Sequence, residues 1–251
     1  MSLASEQELT SSLWNQVYAD IDGKQFPHEQ LVKYLYFIQQ HKVFDDLSAL
    51  DIGFGTPANL LACHKLGYAL SGIEVSQNSL DKTRKILSQL SIDFNGKLFQ
   101  SPSIPFGDDA FSLVYSNQSI YYNLDFTQLV SETYRVLKPN GAFYHTFFTP
   151  NHWYFKHSEP VSDGYVRWSD THPTQQLRGM LLRHFETKQE LADAFSEFVD
   201  VRVDTLTTDL LGINFELWIV SGKKPGSILL DTFSIDDHYG NIRERLSIAK
   251  K

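Results

Sequence analysis

The amino-acid sequence predicts an α/β fold: a doubly wound, mostly parallel seven-stranded sheet with a C-terminal antiparallel hairpin, flanked by helices. Three observations carry that expectation. Short apolar runs alternate with amphipathic stretches, roughly 20–30 residues apart, from residue 47 to residue 148, as β-α units of a parallel sheet do. The run Ala49-Leu50-Asp51-Ile52-Gly53-Phe54-Gly55-Thr56-Pro57-Ala58 passes from a strand through two close glycines into a helix start, the unit that builds nucleotide-type sites. Finally, residues 199–206 and 215–222 read as two strands joined near Leu211-Gly212.

The 251 residues suit one α/β domain with additions. The expected organisation is an N-terminal helical cap over 1–45, a core over 46–223 in which 150–186 forms a cover over the substrate, and a tail over 224–251. A formal net charge of -8 argues against broad binding to nucleic acid or an anionic membrane, both of which want a basic face. Cys63 is the single cysteine, which rules out an internal disulfide or a thiolate metal cluster and leaves a buried, inert thiol. Residues 1–12 are polar and acidic, and no later run is long enough to cross a bilayer, so a cytoplasmic protein is expected. The oligomeric state stays open.

Taken in order, residues 6–18 and 29–40 read as helices, the second with Leu31, Leu35 and Ile38 on one face. A strand over 47–51 leads through the glycine turn into a helix, which Gly67 stops. A strand over 68–75 delivers Glu74 at its end, and Ser76 caps the next helix. Strands follow over 96–100 and 110–116, separated by Pro102 and Pro105. Residues 124–138 form a helix that Pro139 ends, Asn140-Gly141 turns the chain, and 142–148 is the fifth strand. A last helix spans 188–198 before the hairpin.

The chemistry begins at Glu74, 19 residues after Gly55. A carboxylate at that strand end can accept both hydroxyl protons of a ribose through charge-assisted hydrogen bonds. On this reading Glu74 serves the ligand, and its removal should weaken ligand binding while sparing the fold. Gly53-x-Gly55-x-x-Ala58 followed by Glu74 suits a nicotinamide cofactor about as well as an adenosyl one. Asp51 separates them. A dinucleotide turn keeps a neutral residue there because the pyrophosphate is near, whereas a carboxylate suits the sulfonium and ammonium of S-adenosylmethionine.

Here the chain resembles the class I S-adenosylmethionine-dependent methyltransferases, over about residues 47–223. The matching pieces are Leu50-Asp51-Ile52-Gly53-Phe54-Gly55, Gly72-Ile73-Glu74-Val75-Ser76, Ile104-Pro105-Phe106-x-Asp108-x-x-Phe111 and Arg135-Val136-Leu137-Lys138-Pro139-Asn140-Gly141. The resemblance implies that Asp51, Gly53 and Gly55 surround the methionine moiety and that Glu74 holds the ribose. It puts Gln100 and Ser101 against adenine, and Val75 and Asn117 complete the expected cofactor set. Two departures stand out. Pro57 replaces the third glycine, and neutral Gln100 and Ser101 stand where the family usually has an acid.

In the family the acceptor is gripped by N-terminal helices and by segments after strands four and five. Both regions are aromatic here, so Trp14, Tyr18, Tyr121, Tyr122, Trp153 and Trp168 are the expected acceptor contacts. The asparagine-and-two-prolines signature of base or amide methylation is absent after Ser116, and a lone Cys63 disfavours covalent attack on a pyrimidine. The stretch 150–186 holds four of the nine histidines and two of the four tryptophans. An acceptor that must lose a proton needs a base, and His145, His152 and His157 are the candidates. An acceptor already ionised needs none. No metal is expected. The function implied is methyl transfer to a small molecule by direct displacement. A nicotinamide oxidoreductase and a catalytically silent S-adenosylmethionine-binding protein are the alternatives.

Overall fold

Apolar residues on successive positions of the short central strands leave both faces of a sheet to be covered, and the chain covers both. The computed structural model of the protein describes residues 3–20, 25–40, 44, 46–99, 103–162 and 164–226. Gln100, Ser101 and the tail beyond residue 226 therefore lie outside the described residues. Two helices, α1 (Leu3–Asp20) and α2 (Glu29–Gln40), precede β1 (Ser48–Ile52), α3 (Ala58–Lys65), β2 (Ala69–Glu74), α4 (Gln77–Gln89), β3 (Phe94–Leu98) and β4 (Phe111–Ser116). Then come α5 (Phe126–Val136), β5 (Leu137–Phe148), the short strands β6 (Ser158–Ser162), β7 (Tyr165–Trp168) and β8 (Leu181–Arg183), α6 (Lys188–Asp193), β9 (Val199–Leu210) and β10 (Ile213–Lys223).

The main sheet has seven strands in the order β3-β2-β1-β4-β5-β10-β9. The first five are parallel, while β10 runs antiparallel to both β5 and β9. This is the expected architecture. On β1, Leu50 and Ile52 join the side of the core that holds α5 and α6, while Ala49 joins the side that holds α2, α3 and α4. Leu50, Leu113, Leu129 and Phe143 are fully buried, each stabilising the fold by about 1.5–3 kcal/mol. The β9–β10 turn puts Leu211 (φ 56) and Gly212 (φ 74) in the left-handed region, the two-residue hairpin geometry that matches strand twist. No helix among the described residues is long and apolar enough to cross a membrane.

Local chemistry sets the element ends. Ser76 Oγ caps α4 by accepting from Ser79 N at 3.2 Å, and Asp125 caps α5 by accepting from Gln128 N at 3.4 Å. Several boundaries differ from expectation. β5 starts at Leu137, not 142, because Leu137 already pairs with Phe111 across a register shift, so Asn140-Gly141 lies within the strand and does not form the expected turn. β3 starts two residues earlier, because Phe94 already pairs with Leu70. α5 stops at Val136, not 138, since the Pro139 ring would clash with the carbonyl one turn back. The last helix ends at Asp193, and 194–198 continue as turns.

The stretch 150–186 has its own small sheet. β6, β7 and β8 pair antiparallel, with 3-10 turns at Trp153–His157 and Gln175–Leu177 on either side. Strands of five, four and three residues are too short to show a period in the sequence. Val166, Trp168, Leu177, Met180, Leu182 and Phe185 are buried and continue the core on the α5 side.

Candidate active site

The site is built at the carboxyl edge of β1, β2 and β4, where an open α/β sheet leaves a crevice. After β1 the chain turns through Gly53 (φ +70) and Gly55 (φ +59), backbone that a side chain would strain. A Cβ at Gly53 would run into the Ser119 side chain, and one at Gly55 into the Tyr18 hydroxyl. Gly53 N donates to Ile73 O at 2.8 Å, tying the turn to β2.

Glu74, at the end of β2, holds this turn. Its Oε2 accepts from Gly55 N at 2.8 Å, and its Oε1 accepts from Val75 N at 2.8 Å and Ser76 N at 3.1 Å. The side chain is 4% exposed. Burial raises its pKa, and the three N–H groups oppose that rise. A carboxylate has about four acceptor positions, so three are taken by the backbone and the remainder faces the cavity that Glu74 lines.

That cavity has a volume of about 580 Å³, within the range of small-molecule sites. It is lined by Gly53, Phe54, Ile73, Glu74, Val75 and Phe99 of the sheet edge, and by Trp14 of α1, Tyr122 after β4, and Tyr154, Thr174 and Leu177 of the 150–186 stretch. α1 is set in place by Asn15, whose Oδ1 accepts from Ser76 Oγ (3.2 Å) and Asn78 N (3.0 Å). The loop after β4 is tied to the turn by Ser116 Oγ, which donates to Ile52 O at 2.9 Å and accepts from Ile120 N at 3.0 Å. Asn117, which lines the same cavity, accepts from Thr146 Oγ1 at 3.1 Å, while its buried Nδ2 has no partner.

Several expected residues lie elsewhere. Asp51 does not line the cavity. Its side chain is buried beside Tyr115 and Cys63 under the turn, neither oxygen accepts a well-formed hydrogen bond, and burial pushes its pKa well above the ordinary value. The nearby Tyr115 hydroxyl only partly offsets that. Burial also pushes the Cys63 thiol up to about 12, leaving it unreactive. Gly55 is covered by Tyr18 and lies behind the wall. Tyr121 is buried among Phe147 and Phe148. Trp168 stands behind Tyr122, its Nε1 donating to the Tyr122 hydroxyl at 3.1 Å. Trp153 packs against Tyr154 and Phe215 and does not reach the cavity. Trp14, Tyr18, Tyr122, Gly53, Glu74, Val75 and Asn117 do line it.

None of the three expected bases faces the cavity. His145 points into the core of the α5 and α6 side, between Phe143 (5.4 Å) and Phe195 (5.8 Å), with no partner on either ring nitrogen. Burial pushes its pKa down to about 3. His152 is also buried, down to about 4, and its Nδ1 is engaged by Tyr154 N at 3.2 Å. His157 Nδ1 pairs with Thr171 Oγ1 at 3.1 Å. A base must reach the proton it removes, and these do not. Among the described residues no three His, Cys, Asp or Glu side chains converge into a metal-binding group. Tyr154, His28, Phe99, Thr174 and Leu177 line the cavity without having been singled out in the sequence. Only the aromatic density around Trp153 hinted at Tyr154.

The buried histidines give a pH dependence. The folded pKa of His145 lies below the imidazole's ordinary 6.5. Its contribution to stability is therefore complete above pH 6.5 and is lost as pH falls from there toward about 3. The expected slope is about 1.4 kcal/mol per pH unit. Denaturant midpoints from pH 7 to 4 should fall less steeply in His145→Phe, and parallel curves for the two proteins would refute the assignment.

A glycine turn after the first strand, an acid closing the second and an antiparallel final hairpin together define the class I methyltransferase fold. The family described as methyltransferase domain matches residues 50–145, and the chain carries a domain of this S-adenosylmethionine-dependent class. Among curated proteins, the methyltransferase GfsG of Streptomyces halstedii is 31% identical over 115 residues, covering 45% of this chain and 40% of that protein. The chain spans less than half the length of the curated relatives it matches. Among solved structures, an S-adenosylmethionine-dependent methyltransferase of Methanosarcina mazei superposes with a TM-score of 0.60 at 20% identity, over 76% of this chain and 98% of that one. The 1,6-didemethyltoxoflavin-N1-methyltransferase of Burkholderia thailandensis, solved with 1,6-didemethyltoxoflavin and S-adenosylhomocysteine, gives 0.64 at 12% identity, over 90% and 91%. At such identities the structural likeness is one of fold.

The residues present fit the cofactor of that class. Gly53 and Glu74 both line the cavity, Glu74 with the acceptor capacity that its backbone bonds leave over, and Asn117 Nδ2 is a buried donor without a partner.

Proposed function

We propose that the protein is a cytoplasmic S-adenosylmethionine-dependent methyltransferase acting on a small-molecule acceptor by direct displacement. The observation that carries this reading is a cavity lined both by Gly53 and Glu74 and by Trp14, Tyr122 and Tyr154. When bound, the cofactor supplies a methyl group already activated on sulfonium. The protein's share is then alignment and exclusion of water. In this reading Glu74 accepts from the ribose hydroxyls with the capacity its backbone bonds leave over, and Val75 and Phe99 border the adenine. Asn117 Nδ2 donates toward the methionine end. Asp51 acts from beneath the turn, without touching the ligand. The acceptor lies against Trp14, Tyr122 and Tyr154. α1 and the 150–186 stretch form its cover, a substrate-binding addition to the 46–223 core. A small acceptor and the acidic balance of the chain agree with each other, as do the single cysteine and a reducing compartment.

Calorimetric titration with S-adenosylmethionine, S-adenosylhomocysteine and NADH tests the cofactor. Saturable binding of the two adenosyl ligands and none of NADH is expected. Saturable NADH binding without heat from the other two would overturn the reading. Tight cofactor binding without transfer to any acceptor of a broad panel would instead point to a silent binding protein.

A further inference from the structure

We infer that Tyr18 binds the cofactor and not the acceptor: its phenol oxygen accepts one of the two ribose hydroxyl protons, and Glu74 accepts the other. This rests on the methyltransferase reading and deepens it. An ionised carboxylate offers about four acceptor positions. Glu74 gives three of them to the N–H groups of Gly55, Val75 and Ser76, which leaves about one. The ribose of an adenosyl ligand carries two neighbouring hydroxyls, each with a proton to place. Burying the second donor without a partner is costly, so a second acceptor is needed beside Glu74.

Tyr18 supplies it. A Cβ on Gly55 would run into the Tyr18 hydroxyl, so that hydroxyl lies over the residue whose N–H Glu74 Oε2 holds at 2.8 Å. Tyr18 and Glu74 both line the cavity. Among the described residues the Tyr18 hydroxyl bonds to no protein group, so its lone pairs and its proton are left for a ligand. Burial keeps the phenol protonated, and the nearby Glu74 and Asp51 carboxylates push the same way. A neutral oxygen can therefore accept from the sugar without setting a second negative charge beside Glu74. The other hydroxyl against the turn, Ser119 Oγ, stands over Gly53, whose N–H is given to Ile73 O and not to Glu74.

The separation of the two partners is fixed through Ser76. Its N–H donates to Glu74 Oε1 at 3.1 Å, and its Oγ donates to Asn15 Oδ1 at 3.2 Å, one turn before Tyr18 on α1. Asn15 Oδ1 also accepts from Asn78 N at 3.0 Å, and Asn78 Nδ2 donates to Asn15 O at 2.9 Å. These bonds tie the C-terminal half of α1 to the start of α4, directly after Glu74. Trp14 stacks on the Tyr18 ring (centroids 5.9 Å, 25°) and steadies its orientation.

The test uses the full chain and the variant Tyr18→Phe, which removes the hydroxyl and keeps the ring, with Ser119→Ala beside it. Each is titrated with S-adenosylhomocysteine and with its 2′-deoxy and 3′-deoxy forms. Tyr18→Phe should weaken S-adenosylhomocysteine binding about three- to tenfold. The Tm of the unliganded variant should match the parent, because the hydroxyl holds no protein group. The loss should vanish with one deoxy form, the one lacking the hydroxyl that Tyr18 serves, and persist with the other. Equal losses with all three ligands, no loss with any, or the selective pattern in Ser119→Ala instead would each overturn the inference. In all three cases parental binding of S-adenosylhomocysteine leaves the methyltransferase reading intact. Failure of the parent to bind S-adenosylhomocysteine would remove both.

Discussion

Replacing Glu74 with alanine is expected to weaken S-adenosylhomocysteine binding by at least about tenfold, the loss of one hydrogen bond to a charged acceptor, and to destabilise the free protein as well. The second effect runs against the sequence expectation that Glu74 serves the ligand alone. Its two oxygens hold Gly55 N, Val75 N and Ser76 N, and a buried N–H left without a partner costs about 1–3 kcal/mol. Water admitted from the cavity should recover part of this, so a net loss on the order of 3 kcal/mol is expected, about 6–12 °C in Tm for a chain of this size. Glu74→Gln should fall between, because its carbonyl can keep the Val75 and Ser76 bonds while its amide nitrogen faces Gly55 N. Melting curves of the unliganded variants, beside the titrations, separate the two effects. An alanine variant with parental Tm and tenfold weaker binding would return Glu74 to the purely ligand-facing role.

What the sequence made legible was local. The Gly53–Gly55 turn, the Ser76 cap, Glu74 at a strand end and the Leu211–Gly212 hairpin each depend on a few adjacent residues whose chemistry admits one geometry. The strand alternation around them supplied the doubly wound, mostly parallel architecture, though not the order of its strands. What stayed hidden depends on which way a side chain points after tertiary packing. His145 shares its face of β5 with Phe143, and that face meets Phe195 of the turn after α6, not the crevice. Within His152-Trp153-Tyr154, only a 3-10 turn begun at His152 decides that Tyr154 reaches the cavity and its two neighbours do not. Asp51 reads as a ligand to the cofactor by motif, yet its position on β1 between Leu50 and Ile52 sends it to the opposite face of the sheet from them. There it meets Tyr115 and Cys63.

α1 and the 150–186 stretch, the proposed cover, are joined by a pair that no motif announced, and breaking it should affect the acceptor more than the cofactor. Glu6 of α1 and Arg167 of β7 form a two-pronged bond, Nη2 to Oε1 at 2.8 Å and Nη1 to Oε2 at 3.1 Å, with the Glu6 side chain 7% exposed. Arg167 Nη1 also donates to Gly179 O, so the pair joins the N-terminal helix to both edges of the loop that carries Thr174 and Leu177. The Arg167 guanidinium beside Glu6 holds that carboxyl below its usual range. Its contribution is therefore present above the unfolded value and is lost only as pH falls through the lower folded value. Arg167→Met keeps the stem but leaves Glu6 buried and unpaired, a change that costs up to about 3–5 kcal/mol at fully buried sites and less here, where Arg167 is partly exposed. A cycle with Glu6→Gln should give a coupling of about 1–3 kcal/mol. In kinetics the variant should raise the acceptor KM severalfold or more, because Trp14 and Leu177 lose their fixed separation. The dissociation constant for S-adenosylhomocysteine should stay within about twofold, since Glu74 is held through Gly55, Val75 and Ser76 and not through this pair. Equal losses of acceptor and cofactor affinity would show that α1 and the 150–186 stretch stabilise the whole domain and do not act as a cover for the acceptor.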